Sequence, residues 1–120
     1  MNVFSFAISR PPKSVEKFLT DYKINRDTDI DYFLIHQANK MIVDRIVKKL
    51  KLPQEKVPYN LEEFGNLGGA SIPSLMVTRL RKQLMSKETT LLMSSFGLGL
   101  TWGTMYMKIK PMVISKLVSI

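Results

Sequence analysis

Tyr32-Phe33-Leu34-Ile35 is an unbroken apolar run that leads straight into His36, the only histidine of the chain. A short continuous run of this kind suits a strand buried on both faces, not one face of a surface sheet. After Gln37-Ala38-Asn39 the period changes, and Ile42, Val43, Ile46, Val47 and Leu50 recur on one helical stripe. Strand, short polar turn and helix make the repeating unit of layered α/β structures, in which ligands sit beyond the carboxyl ends of strands. His36 is then delivered to a place where it can act as a general acid/base or donate a hydrogen bond to an oxyanion. A structurally satisfied histidine fits the same stretch, which alone leaves the choice open.

The other segments extend the pattern. Residues 3–9 alternate Phe4, Phe6 and Ile8 with the smaller Val3, Ser5, Ala7 and Ser9, predicting a strand. Its start so close to Met1 suggests a chain cut from a longer one. Pro11 and Pro12 suit the first turn of a helix, continued by Val15, Phe18, Leu19 and Tyr22 as its apolar face. Lys23 to Asp29 reads as a polar loop. In the helix after Asn39, Lys40, Asp44, Arg45, Lys48, Lys49 and Lys51 lie mostly off the stripe, with Asp44 spaced to pair with Lys48. This is the most basic surface in the sequence, and a merely solvated face is its simplest reading. Residues 57–60 suggest a short edge strand, given Pro58, and Leu61 to Phe64 a helical turn. Gly65-Asn66-Leu67-Gly68-Gly69 can bring its backbone close to a ligand. Ser71 is expected to cap a helix running to Met85, with Ile72, Leu75, Met76 and Leu80 buried. Residues 89–96 and 101–109 read as two strands of a hairpin joined at Gly97-Leu98-Gly99. The order β-α-β-α-(β)-α-β-β predicts an α/β domain, a mixed sheet covered by helices. Residues 111–120 form an apolar tail.

Composition narrows the chemistry. The absence of cysteine rules out a disulfide or a thiol nucleophile within these 120 residues, and with one histidine a structural zinc site is not expected. The net charge of +8 suits an anionic partner. No basic stripe is interleaved with aromatics, so nucleic acid is not that partner. No apolar stretch reaches the roughly 18 residues that span a bilayer, and the start lacks a signal-peptide pattern, so a cytoplasmic chain without a membrane partner is expected.

Three features could converge on one site, though residue types alone do not establish it: His36, Asn66 and the bend Phe96-Gly97-Leu98-Gly99. Two side-chain donors aimed at one oxygen stabilise an enolate or tetrahedral intermediate, and a glycine-rich bend supplies backbone N–H groups for a second such site. The loop around Asn66 lacks the ending of a phosphate-binding loop, and no serine sits in a Gly-x-Ser-x-Gly elbow.

Three motifs, His36-Gln37-Ala38-Asn39, then Phe64-Gly65-Asn66 ahead of Ala70-Ser71-Ile72-Pro73, then Phe96-Gly97-Leu98-Gly99-Leu100-Thr101-Trp102-Gly103, follow in order. In that order and spacing they resemble the C-terminal part of β-ketoacyl-acyl-carrier-protein synthase III. The resemblance implies a thiolase-like half of an α-β-α-β-α layered fold, with residues 1–110 as the domain and 111–120 as a tail. It implies that His36 and Asn66 form the catalytic pair of a decarboxylative condensation between malonyl-carrier protein and an acyl-CoA starter, in fatty-acid or related acyl-chain synthesis. Asn39 and Phe96 match residues beside the pantetheine and the cysteine, and Gly97 and Leu98 match the oxyanion-hole loop. The implied partners are acyl carrier protein, acyl-CoA, a second copy of the enzyme in a homodimer, and the missing N-terminal half with its nucleophilic cysteine, without which the chain is inactive. The substrates carry phosphopantetheine, and no bound cofactor or metal is implied. Met41 stands where the family commonly has a docking arginine, leaving Lys40, Arg45, Lys48 and Lys49 as candidates for carrier docking. Leu67 replaces a polar residue after the asparagine, and Leu98 replaces a glycine. A non-catalytic remnant or basic binding domain of the same fold is the alternative.

Overall fold

The computed structural model describes residues 2–120. Its centre is β1, Tyr32–Ile35, which runs parallel to β2, Thr89–Gly97, while β3, Thr101–Ile109, returns antiparallel to β2 as a hairpin. The sheet is therefore mixed, in the order β1-β2-β3. Phe33, Leu34 and Ile35 are all within 2% of complete burial, as the unbroken apolar run requires.

Side chains alternate across a strand, so β1 feeds two cores. Phe33 and Ile35, with Leu92 and Phe96 of β2, pack into the larger core. Helix α1, Val3–Ala7, contributes Phe6 to it; α2, Arg10–Asp21, contributes Val15 and Leu19. Helix α3, Lys40–Leu50, contributes its whole predicted stripe. On the other face, Leu34 and Leu91 meet Leu75 of α5, Ser71–Thr78, and Leu84 of α6, Arg81–Ser86. The short α4, Leu61–Phe64, connects the two sides. The second face is covered only in part: Met105 and Met107 of β3 are 55% and 41% exposed.

Several expectations need correction. Residues 3–9 are not a strand. Asn2 accepts from Ser5 N at 2.8 Å and caps α1, and a side-chain cap with tertiary anchorage outweighs an alternation this short. That anchorage is Phe6, edge-on to Trp102 at 5.6 Å. Residues 57–60 are not a strand either: Val57 is buried in the larger core, and the Asn60 carbonyl accepts from Phe64 N at 3.0 Å to open α4. The helix expected from Ser71 to Met85 is broken, because Arg79 N and Leu80 N both close on the Leu75 carbonyl. Arg79 Nε meanwhile donates to Tyr59 O at 2.7 Å, tying the break to another segment. Ser71 does not cap α5; it is the first helical residue, wholly buried, with no partner for its hydroxyl among the described residues. Asp44 pairs with Lys40 at 2.8 Å instead of Lys48, because it also accepts from the Tyr59 hydroxyl at 2.8 Å. Burial and that carboxylate push the Tyr59 hydroxyl up to about 12, so it remains a donor.

The segment after β3 has no regular structure, yet it is partly anchored. Met112 N donates to Leu84 O at 3.0 Å, Arg81 Nε donates to Ile114 O at 2.8 Å, and Ile114 is buried in the second core. Leu117 and Val118 are exposed. Burying an isoleucine side chain is worth about 1.5–3 kcal/mol. Ending the chain at Lys110 should therefore lower stability by about 2 kcal/mol, whereas ending it at Ser115 should change it by less than about 0.5 kcal/mol. Urea unfolding of the two truncations checks the contrast.

Candidate functional site

The last rung of the β1–β2 ladder sets His36. Its N–H donates to the Ser94 carbonyl at 2.9 Å, which holds the residue at the carboxyl end of the strand. Its ring stands edge-on to Phe96, centroids 5.1 Å apart at 85°. The imidazole has no side-chain hydrogen bond among the described residues, and only 9% of the residue is exposed. Burial lowers its pKa from the ordinary 6.5, so at neutral pH the ring is uncharged. A neutral imidazole offers one N–H donor and one lone pair.

Asn66 is presented differently. Gly65 takes φ 65 with ψ −159, a conformation for which only glycine is suited, and Gly68 takes φ 57. Between them the Asn66 Oδ1 accepts from Gly68 N at 2.9 Å, the local Asx turn such residues favour. The carbonyl end of the amide is thus engaged by its own loop, which leaves the Nδ2 hydrogens as the free end.

The bend after β2 completes the arrangement. Leu98 is 86% exposed at its tip, and its carbonyl accepts from Thr101 Oγ1 at 3.1 Å. A cavity of about 650 Å³ opens between these parts and brings together His36, Asn66, Phe96, Gly97 and Leu98. Val3, Ala38, Ile42 and Trp102 supply apolar wall. Ser95 and Thr101 also line it, but neither hydroxyl is hydrogen-bonded to His36, so the geometry does not make an activated serine or threonine. What it offers a ligand is two uncharged N–H donors set in an apolar cleft with backbone at its rim.

Not every candidate reaches this cavity. Asn39 is an N-cap, its Oδ1 accepting from Ile42 N at 2.9 Å at the start of α3. The four basic candidates lie outside the cavity walls, on α3. Lys40 is engaged by Asp44, Arg45 lies over the Phe4 ring at 5.7 Å, and Lys49 Nζ donates to Ile8 O at 3.0 Å. Lys48 has no ion pair among the described residues. Among those residues no group of three or more histidines or acids is placed to hold a metal ion.

Sequence reasoning missed Val3 and Trp102 as walls, because residues 3–9 read as a strand and β3 was read only for its hairpin. It also passed over Gln37 and Asn60, two almost fully buried amides joined behind the site by Asn60 N donating to Gln37 Oε1 at 3.2 Å. The available signal was a glutamine wedged between an apolar run and a helix.

Known proteins share this architecture. A family model described as 3-oxoacyl-[acyl-carrier-protein (ACP)] synthase III C terminal matches residues 23–109. A β-ketoacyl-[acyl-carrier-protein] synthase III of Microcystis aeruginosa is 44% identical over 102 residues, covering 84% of this chain and 30% of the relative. The crystal structure of a 3-oxoacyl-(acyl-carrier protein) synthase from Burkholderia xenovorans superposes with a TM-score of 0.89 at 36% identity, over 95% of this chain and 32% of that one. That of 3-oxoacyl-(acyl carrier protein) synthase III from Pseudomonas aeruginosa gives 0.80 at 31% identity, over 94% and 35%. The chain thus spans about a third of the length of the relatives it matches. Its mixed sheet and helices form a thiolase-like α/β half, and the chain belongs to the family of the C-terminal domain of 3-oxoacyl-[acyl-carrier-protein] synthase III.

Proposed function

We propose that this chain supplies the histidine–asparagine half of a β-ketoacyl-acyl-carrier-protein synthase III, which condenses an acyl-CoA starter with malonyl-carrier protein in fatty-acid biosynthesis. One observation carries the reading: His36 and Asn66 line one cavity, each with an N–H donor that no described residue engages. In this reading a cysteine in the portion of the protein outside this chain takes the starter acyl group. The malonyl thioester then places its carbonyl oxygen on the two donors. The bond from C2 to the carboxylate breaks, carbon dioxide leaves, and the electron pair moves onto that oxygen as an enolate. The charge grows toward the transition state, so donors already in place speed the step. C2 then attacks the acyl thioester and expels the cysteine thiolate, with backbone N–H groups near Gly97–Leu98 stabilising the tetrahedral intermediate. Phe96 holds the imidazole edge-on and keeps water from it. The chain needs no bound cofactor or metal, since both substrates bring their own phosphopantetheine. It works in the cytoplasm, as part of a homodimer.

The basic side of α3 is the docking surface for the acidic carrier protein. Charge of this kind chiefly raises the association rate and fades with salt. Lys48 and Lys49 are the test, since Lys40 is engaged by Asp44 and Met41 carries no charge. Reversing both to glutamate should weaken carrier binding to the completed enzyme at low ionic strength; an unchanged association rate would mark the face as merely solvated.

The donor pair is tested with the cysteine-bearing portion restored. His36→Ala and Asn66→Ala should each reduce carbon dioxide release from the malonyl thioester by about 10²–10³. Loading of the cysteine, which uses the other oxyanion site, should suffer less. The two losses need not add, because both donors serve one oxygen. Decarboxylation within about threefold of wild type in folded variants would sink the assignment and leave a fold retained without its chemistry.

The chain's single histidine also gives an unambiguous proton signal. Its midpoint in an NMR titration should lie below 6.5. The unfolded chain then takes up the proton first, so stability is full above 6.5 and declines as pH falls through 6.5 toward the folded midpoint. A midpoint above 6.5 would contradict a neutral donor.

A further inference from the structure

Gln37 follows His36 directly but is not a wall of the cavity; it is wholly buried. Its Nε2 donates to the Ile35 carbonyl at 2.8 Å, and its Oε1 accepts from Asn60 N at 3.2 Å. Asn60, 2% exposed, extends the connection in two directions. Its Nδ2 donates to Ser74 Oγ at 2.9 Å and Thr78 Oγ1 at 3.2 Å, both on α5. Its backbone carbonyl accepts from Phe64 N at 3.0 Å and so opens α4.

The chain order gives this network its meaning. Helix α4 ends at Phe64, with Gly65 as its C-cap just before Asn66, and α5 begins at Ser71, just after the glycine-rich loop. Asn60 therefore holds the chain on both sides of Asn66, and Gln37 joins that hold to the residue next to His36. The loop itself is exposed and has little inside it beyond the Asx turn at Asn66 and a single 3-10 turn, Gly68–Ala70, closed by Ala70 N donating to Leu67 O at 3.1 Å, so its placement depends on how its ends are fixed. The network is also costly to bury. Asn60 Oδ1 has no partner among the described residues, and a buried polar atom left unpaired is destabilising. Apolar residues of similar volume would suit stability better, so these amides are better accounted for by the arrangement they impose.

We propose that Gln37 and Asn60 are positioning residues, a buried amide relay that sets where Asn66 stands relative to His36. The proposal rests on the reading of those two residues as the donor pair and explains how a strand end and a glycine-rich loop are kept in register.

The test compares Asn60→Ala with the milder pair Ser74→Ala/Thr78→Val, which removes only the α5 arm and survives if the first variant fails to fold. Leu50→Ala, in the larger core, serves as a control that loses stability without touching the relay. In the chain itself, NMR signals of the Asn66 side-chain amide and the Gly68 amide should shift and broaden in the relay variants and stay in place in the control. In the enzyme completed by its cysteine-bearing portion, kcat for decarboxylation should fall by about 10- to 10²-fold, the loss expected of a misplaced group. KM and cysteine loading should hold within about twofold, and Gln37→Leu should add nothing in a His36→Ala background. Relay variants that track the Leu50→Ala control in both readouts would overturn the relay and leave the donor pair standing. If instead the amide signals move while His36→Ala and Asn66→Ala still decarboxylate normally, the donor pair is wrong and the relay stands as geometry alone.

Discussion

Everything at the site depends on β1 being buried on both faces. Four residues with core on either side leave the strand no freedom to slip, because a shift of one residue would exchange the side chains of the two cores. The rung between His36 N and the Ser94 carbonyl is the last that this constraint enforces. Beyond it the chain must turn polar within three residues to start α3, and the histidine is what emerges at that edge.

The two donors are held by opposite means. His36 is fixed by burial, which also keeps it uncharged; the Asn66 amide is oriented by its own Asx turn, in a loop exposed to water. A cavity lined by both combines a rigid floor with a thin wall. Its apolar lining raises the value of each N–H, since hydrogen bonds are stronger where water is scarce. Uncharged donors suit such a place, for a charged group would carry a large desolvation penalty there.

The sequence disclosed the elements whose signals are local and long. The α3 stripe, the apolar β1 run and the hairpin of β2 and β3 are each legible because period or turn chemistry leaves one good reading. The His36 and Asn66 loops stood out by residue type, but only the resemblance joined them. What escaped depends on contacts far along the chain. Alternation over residues 3–9 is too short to tell a strand from a turn and a half of helix, and Phe6 chooses helix by meeting Trp102, almost a hundred residues away. The break between α5 and α6 follows from Arg79 reaching Tyr59, and Asp44 changes partner because Tyr59 is near. Val57-Pro58-Tyr59-Asn60 failed as a strand for a related reason: its residues are used one by one, as core, as hydroxyl donor and as amide, so no ladder forms.

The uncovered part of the second face is populated by Met105 and Met107 of β3. Methionine is unbranched, polarizable and rich in rotamers, so a face built from it moulds itself to what is laid upon it. Anything laid upon it then has wide latitude in shape, whereas the fully buried strand β1 tolerates almost none. The sheet around Met105 and Met107 can thus change residue by residue at little cost in packing, whereas β1, with core on both faces, cannot.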